Sequence, residues 1–422
     1  MVQLVGSVDD MADDDRTPSL VFDLDDVGRG DVALVGGKAA NLGELRRGGF
    51  RVPDGFVVTT EAHRRSLADP GGMSGEVERS IRSAYDALAV EAVAVRSSAV
   101  DEDGAVTSHA GLHDSFLDCT DADEVVDRVR DCWVSSGSER AVAYRSAFGQ
   151  VGDPATETTA PMAVVVQVMA PTERTGVMFT TDPLGERPGT VVIEATLGGA
   201  GLVVGGEVAP DAFTVDVGAG SDAIVRVGVG VDSGAGPGAG ERDRVLSDGE
   251  LTALVDLGRA IEAYFGRPQD IEWTIGSDGG IWVVQARPVT TGSVPGGSVQ
   301  GGSAPGTTAP GAPTGEVLLR GLGASPGIGT GAVKVVRSVD DALDLLDGEV
   351  LVAAATSPAW VPAMARAAAI VTDLGGITSH AAIVARELGV PAVVGACSAT
   401  TDLYDGQVVT VDGGAGEVHR PA

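Results

Sequence analysis

The stretch Gly375–Gly395, GGITSHAAIVARELGVPAVVG, sets a histidine between a glycine turn and a run with helical patterning. AAIVTDL, from Ala368 to Leu374, reads as a buried strand that Gly375 and Gly376 break. Thr378 or Ser379 can cap the following helix by accepting from an exposed backbone N–H. The helix is expected over about His380–Leu388, with Gly389 in the left-handed C-terminal position. Pro391 stops further helix, and PAVVG resumes a strand. His380 then lies in the first helical turn, beside backbone N–H groups at the positive end of the dipole. Such a place binds anions, phosphate above all. The same field disfavours imidazolium, so one ring nitrogen keeps its lone pair. A neutral imidazole beside phosphate can act as a nucleophile and become phosphorylated. A capping or surface histidine would occupy the same position without chemistry.

A second constellation lies in DIEWTIGSDGGIWVVQARPV, Asp270 to Val289. Two alternating segments flank Ser277-Asp278-Gly279-Gly280, which reads as a four-residue hairpin loop. If Gly276 pairs with Ile281, Glu272 falls opposite Gln285 and Asp270 opposite Arg287. The period of two then puts all four on one face, with Ile271, Trp273, Ile275, Trp282 and Val284 on the core face. The polar face offers oxygen ligands suited to Mg²⁺ beside an arginine suited to phosphate. A solvated face with a salt bridge is the alternative reading.

These segments must be held by folded elements, and composition bounds what those are. The 422 residues suffice for two or three domains, and a hydrophobic content of 43% excludes wholesale disorder. No apolar run has the length of about 18 residues that a membrane span needs. The N-terminus is acidic where a signal peptide needs a basic start. A cytoplasmic location is expected, and Cys119, Cys132 and Cys397 lack metal or disulfide spacing. Sixty acidic residues face 29 basic ones, a formal net charge of -31. This balance repels nucleic acid and anionic membranes. It resembles the composition of proteins from halophilic microbes, in which salt screens the self-repulsion.

Residues 1–20 are expected to form a disordered acidic tail. From 21 to 290 short apolar runs alternate with amphipathic segments, as in an α/β or α+β domain. Residues 291–315 are Gly, Ser, Pro and Thr without charge and read as a flexible linker. A linker of about 25 residues has a random-coil span of about 25–30 Å. Residues 316–422 form a second, compact domain of ordinary size. Such a linker is either a passive tether or a swinging arm.

The His380 stretch resembles the phosphohistidine motif of the phosphoenolpyruvate-utilising mobile domain. That domain is found in phosphoenolpyruvate synthase (pyruvate, water dikinase), pyruvate phosphate dikinase and rifampin phosphotransferase. The likeness extends through GLGASPGIGTGAV (321–333), TSPAWVPAMARAAAIVTD (356–373) and DGQVVTVDGGAGEV (405–418). The first domain is similar to the ATP-grasp domain of the same family. The matching segments are VGGKAANLGELRRGGFRVPDGFVVTTEAHRR (35–65), VAVRSSAVDEDGAVTSHAGLHDSFL (93–117), AVVVQVMAPTERTGVMFTTDP (163–183), VVIEATLGGAGLVVGGEVAPDAF (191–213) and the hairpin. No P-loop competes with it, since Val32 and Ala39 occupy positions where VALVGGKAA would need Gly and Ser or Thr.

The resemblance implies an ATP-grasp-type domain joined by a flexible linker to a small α/β phosphohistidine (swivelling) domain. It implies that Lys38 and Arg96 hold ATP phosphates and that Gln167, Val168 and Met169 line the adenine slot. It assigns Mg²⁺ to Glu272 and Gln285, with Asp270 adjacent, phosphate clamping to Arg287 and phosphorylation to His380. Two positions depart from the family pattern: Gly201 stands where glutamate is usual and His109 where phenylalanine is usual. His109 and His113 lack a third metal ligand, and His63 and His419 show no pattern. The acceptor-binding domain of these enzymes has no counterpart here, so pyruvate or another small-molecule acceptor is expected on a partner chain or between the domains. Two alternatives remain: a rifampin-phosphotransferase-like enzyme and a non-catalytic nucleotide-binding module.

The charge balance generates a first prediction. The melting temperature should climb as KCl rises from about 0.1 M to about 2 M, as the Debye length falls from about 10 Å to below about 3 Å. A maximum in low-salt buffer would remove the halophile reading.

Overall fold

In a computed structural model of the protein, the described residues are 19–69, 72–100, 115–135, 162–185, 187, 189–199, 210–217, 223–228, 244–289 and 315–421. The expected acidic tail and linker lie almost wholly outside them, as do His109, His113 and Gly201. At the tail's expected end, Leu20 is packed into the core, and its carbonyl accepts from the Thr59 N–H at 3.0 Å.

Among the described residues, the strands form three sheets. The first contains β1 (Val21–Asp23), β2 (Gly55–Val58), β3 (Val93–Ser98), β4 (Ser115–Cys119) and β5 (Ala163–Val168), in the order β1-β2-β5-β3-β4. The second contains β6 (Arg174–Phe179), β7 (Thr190–Leu197), β8 (Asp211–Asp216), β9 (Ala223–Gly228), β10 (Gln269–Ile275) and β11 (Ile281–Pro288), in the order β11-β10-β6-β7-β8-β9. All pairings in these two sheets are antiparallel. One core joins them: Val57, Ala163 and Val165 of the first sheet share a cluster with Met178, Ile193, Ile271 and Trp273 of the second. The Val32–Arg47 and Asp248–Phe265 helices contribute Ala39, Leu42, Leu45, Leu254 and Ile261 to it. The Gly75–Leu88 and Ala122–Ser135 helices cover the opposite face of the first sheet, where Val93, Val95, Val164 and Val166 alternate with residues facing the shared core.

The third sheet has a parallel centre of β14 (Ile328–Val335), β15 (Val350–Ala353), β16 (Ala369–Thr372) and β17 (Ala392–Val394). β13 (Leu322–Ser325) pairs antiparallel with β17 at one edge. On the other side β18 (Val408–Asp412), β19 (Glu417–His419) and β12 (Val317–Arg320) continue antiparallel. The central strands are buried on both faces, which is why VLVA and AIVT carry no polar alternation apart from the closing Thr372. The His380–Leu388 helix packs its Ala381, Ala382, Val384 and Ala385 side chains on one of these faces.

His63 is a core residue. It is 2% exposed, its ring stacks on Trp133 at 4.8 Å, and its Nδ1 accepts from the Met162 N–H at 2.9 Å. Burial pushes its pKa down to about 4. An unfolded chain binds that proton near pH 6.5, so this contribution is present above about 6.5 and is lost as pH falls towards 4. Between pH 7 and pH 4 the wild type should lose about 2–4 kcal/mol more unfolding free energy than His63→Gln. Urea titrations of both across that range would check this, and parallel pH profiles would contradict it.

Candidate active site

The cleft between the first two sheets collects most of the polar residues singled out in the sequence. Arg96 lies on β3 and Gln167 on the adjacent β5; the pairings Ala94↔Gln167 and Arg96↔Val165 put both on the face turned to the shared core. Opposite them, β10 and β11 pair Glu272 with Gln285 and Asp270 with Arg287, as the sequence predicts. The hairpin tip differs. Ile281 pairs with Ile275 rather than Gly276, which lengthens the loop by one residue. A bulge between Glu272 and Trp273 absorbs the shift and leaves Val284 as the extra residue. Val283 and Ala286 therefore occupy the core face with Ile271, Trp273 and Ile275, while Trp282 and Val284 are only half-buried.

The bulge frees a carbonyl for the site. Arg96 Nη1 donates to Val284 O at 2.8 Å, and its Nη2 donates to Glu272 Oε2 at 3.1 Å and to Gln285 Oε1 at 2.5 Å. The two side-chain oxygens expected to hold Mg²⁺ thus converge on one cationic nitrogen. Two oxygens around a point of positive charge are a donor set that fits that ion. Asp270 is 5% exposed, and Arg287 donates to its Oδ2 from Nε and Nη2, each at 2.9 Å. Burial raises the Asp270 pKa, and the Arg287 charge opposes that shift.

Lys38 is buried, at 6% exposure. Its Nζ donates to Ser97 O at 2.6 Å, next to Arg96. The Val32–Arg47 segment is kinked at Gly36, whose φ of 74° lies in the left-handed region. A Cβ there would stand 2.0 Å from Ser98 O. Ser98 Oγ binds both flanks of the kink, donating to Val35 O and accepting from the Ala39 N–H. Glycine thus brings the lysine against β3.

Gln167 is 2% exposed, and its Nε2 is buried with no partner among the described residues. The Val168 and Met169 N–H groups donate to Asp54 O and Ala92 O, at 2.8 and 3.1 Å. Base-edge donors at the expected adenine slot would therefore come from elsewhere, with the Gln167 amide one such group.

His380 opens its helix, as the sequence predicts, with Ser379 as the cap and Gly389 left-handed at φ 67°. Its Nδ1 lies 2.8 Å from Thr356 Oγ1. Thr378, the other candidate cap, donates its hydroxyl to Glu194 on β7 instead. Thr356 and Glu194 were not singled out in the sequence. Thr356 leaves no local signal, whereas Glu194 does: it is a lone carboxylate inside the apolar strand TVVIEATL, where a buried charge demands a partner. Among the described residues, no group of three or more His, Cys, Asp or Glu could hold a metal, and no helix is long and apolar enough to cross a membrane. The three cysteines are free thiols.

The family model for the pyruvate phosphate dikinase AMP/ATP-binding domain matches residues 32–71 and 67–297. The model for the mobile domain of PEP-utilising enzymes matches residues 345–416. The chain therefore belongs to the pyruvate phosphate dikinase and phosphoenolpyruvate synthase family, with an AMP/ATP-binding domain followed by the mobile domain of PEP-utilising enzymes. It is 40% identical to a probable phosphoenolpyruvate synthase of Archaeoglobus fulgidus, over 94% of this chain and 58% of that one. Identity is 37% to a probable phosphoenolpyruvate synthase of Methanothermobacter thermautotrophicus, over 96% and 64%. It is 35% to the phosphoenolpyruvate synthase of Pyrococcus furiosus, over 94% and 58%. The matched part is thus about three fifths of the length of these relatives.

The kink yields a prediction. Gly36→Ala should destabilise the protein by about 1–3 kcal/mol, from left-handed strain and the clash with Ser98. It should also weaken ATP binding by about tenfold or more, since about 1.4 kcal/mol of misplacement suffices for that. Calorimetric titration of ATP beside thermal unfolding would check both, and unchanged affinity would separate Lys38 from the nucleotide.

Proposed function

We propose that this chain is an ATP-dependent, dikinase-type phosphotransferase resembling phosphoenolpyruvate synthase, and that His380 carries the phosphoryl group. The observation that carries this reading is the placement of the His380 loop against the sheet face that bears Glu272, Gln285, Asp270 and Arg287, through the Glu194 contact. On this reading Lys38 and Arg96 hold the phosphates of ATP, and Gln167, Val168 and Met169 line the adenine slot. Glu272 and Gln285 would hold Mg²⁺, which would supply positive charge to offset that of the phosphates. Arg96, which donates to both side chains, would be freed to meet phosphate were that ion bound.

In the tautomer whose Nδ1 donates to Thr356 Oγ1, the His380 lone pair lies on Nε2. That nitrogen attacks the β-phosphorus of ATP, the bond from this phosphorus to the α,β-bridging oxygen breaks, and AMP leaves with the electron pair. The ring then carries a pyrophosphoryl group; water attacks the γ-phosphorus, its bond to the β,γ-bridging oxygen breaks, and inorganic phosphate leaves while the β-phosphoryl stays on the ring. Arg287 steadies the charge on the transferring group. His380 then delivers the phosphoryl group to pyruvate or a similar small molecule, held by a second polypeptide or another acceptor site. In-line geometry at both ends requires the histidine to move between them. The protein works in a cytoplasm.

The test is intact mass at alkaline pH after incubation with ATP and Mg²⁺ in high KCl. One added phosphate is expected on the wild type and none on His380→Ala, with AMP in solution. ADP instead of AMP would make the protein a simple histidine autokinase, and ATP binding without added phosphate would favour the nucleotide-binding module.

A further inference from the structure

Glu194 has no part in the chemistry above, yet it is among the most completely buried acids among the described residues, at 0% exposure. It lies in the middle of β7, and its carboxylate is received by the other domain. Oε1 accepts from the Ile377 N–H at 2.6 Å, Oε2 accepts from the Thr378 N–H at 3.1 Å, and the Thr378 hydroxyl also donates to Oε2. All three donors belong to the short loop that leads into His380. The fit is close: a Cβ on Gly376 would stand 2.1 Å from Glu194 Oε1, and its three nearest atoms would all be the Glu194 carboxyl group.

The position of Glu194 gives this contact a direction. Val177 pairs with Glu272 on one side and with Glu194 on the other, so the three share a face. Two strand spacings separate Glu194 from Glu272, about 10 Å. A loop seated on Glu194 therefore lies beside the proposed metal and phosphate ligands. Flanking contacts set its orientation. Arg386, on the same helix as His380, lies over the Phe179 ring at 5.8 Å and feels the charges of both Asp270 and Glu194. Ile383 and Arg386 line a small crevice with Phe179, Asp270 and Arg287. Burial raises the pKa of Glu194 and lowers that of Arg386 to about 10, and the attraction between them opposes both shifts.

We propose that Glu194 is a positioning residue that docks the mobile domain for loading: its carboxylate plugs the donor socket of the Gly376–Thr378 loop and so sets His380 at the nucleotide. Departure towards an acceptor breaks these three hydrogen bonds, and water then solvates carboxylate and socket. The contact is polar and small, which suits a docking that must be undone in each turnover. This inference rests on the phosphohistidine reading for its catalytic consequence, but the docking itself has an independent readout.

The experiment combines Glu194→Ala, Gly376→Ala and the double variant. Three quantities are read for each: ATP affinity, the single-turnover rate of His380 phosphorylation, and hydrogen exchange at the Ile377 and Thr378 amides. Each single variant should slow phosphorylation by about tenfold or more, the effect of about 1.4 kcal/mol of lost docking. Both amides should exchange faster, while ATP affinity stays within about twofold of wild type, a change of under about 0.5 kcal/mol. The double variant should be no slower than Glu194→Ala, because the methyl group at position 376 then has nothing to strike. A parallel fall in ATP affinity would make Glu194 a nucleotide ligand and overturn the proposal. So would wild-type exchange in Glu194→Ala, or strictly additive rate losses in the double variant. If the wild type takes up no phosphate but the exchange pattern follows expectation, docking stands and the phosphotransfer reading fails.

Discussion

Arg96 ties the two antiparallel sheets of the nucleotide domain together across their cleft. Its backbone belongs to β3 of the first sheet, and its guanidinium reaches a carboxylate, an amide and a backbone carbonyl on β10 and β11 of the second. A planar fork of donors suits that task, and a lysine could not reproduce it. The geometry of the ligand face depends on this bridge. It sets the separation of the sheets, brings the oxygens of Glu272 and Gln285 to one point, and stands beside the carbonyl that fixes Lys38. The group proposed to meet the triphosphate thus already has three acceptors, so ATP and a metal ion would exchange partners with it.

What the sequence revealed follows from the range of the forces involved. Elements governed by local rules were legible. The helix after Ser379, its glycine stop and the flanking strands follow from capping and from a short apolar run. The register of Glu272 with Gln285 was legible because alternation over several residues constrains it. The hairpin tip was not, because a bulge has no signature in VVQ and shifts the pairing of every residue beyond it. The burial of Lys38 was hidden for a different reason: it depends on Gly36 meeting Ser98, residues 62 positions apart. Thr356 and Glu194 act through contacts between distant segments, and only the misplaced charge in TVVIEATL hinted at one of them.

The buried ionisable groups divide by the work that burial does. His63 stays neutral inside a finished core and stacks on Trp133, so it is structure. Asp270 and Glu194 are buried carboxylates, each facing donors from another element. The first is satisfied within its own hairpin, and the second only while two domains are together. A charge whose hydration alternates with its pairing is suited to reporting where a domain stands, whereas one paired within a hairpin is suited to fixing shape.

The bulge at Val284 also separates the hairpin's two ends. Register at the open end is held by the pairing of Glu272 with Gln285, and slack on the turn side is taken up by one unpaired residue. The five-residue tip has constraints of its own, since Gly279 is left-handed at φ 73° and Asp278 pairs with Arg51. Damage at the tip would thus be felt first as lost turn stability, with the pairing of Glu272 and Gln285 insulated behind the bulge.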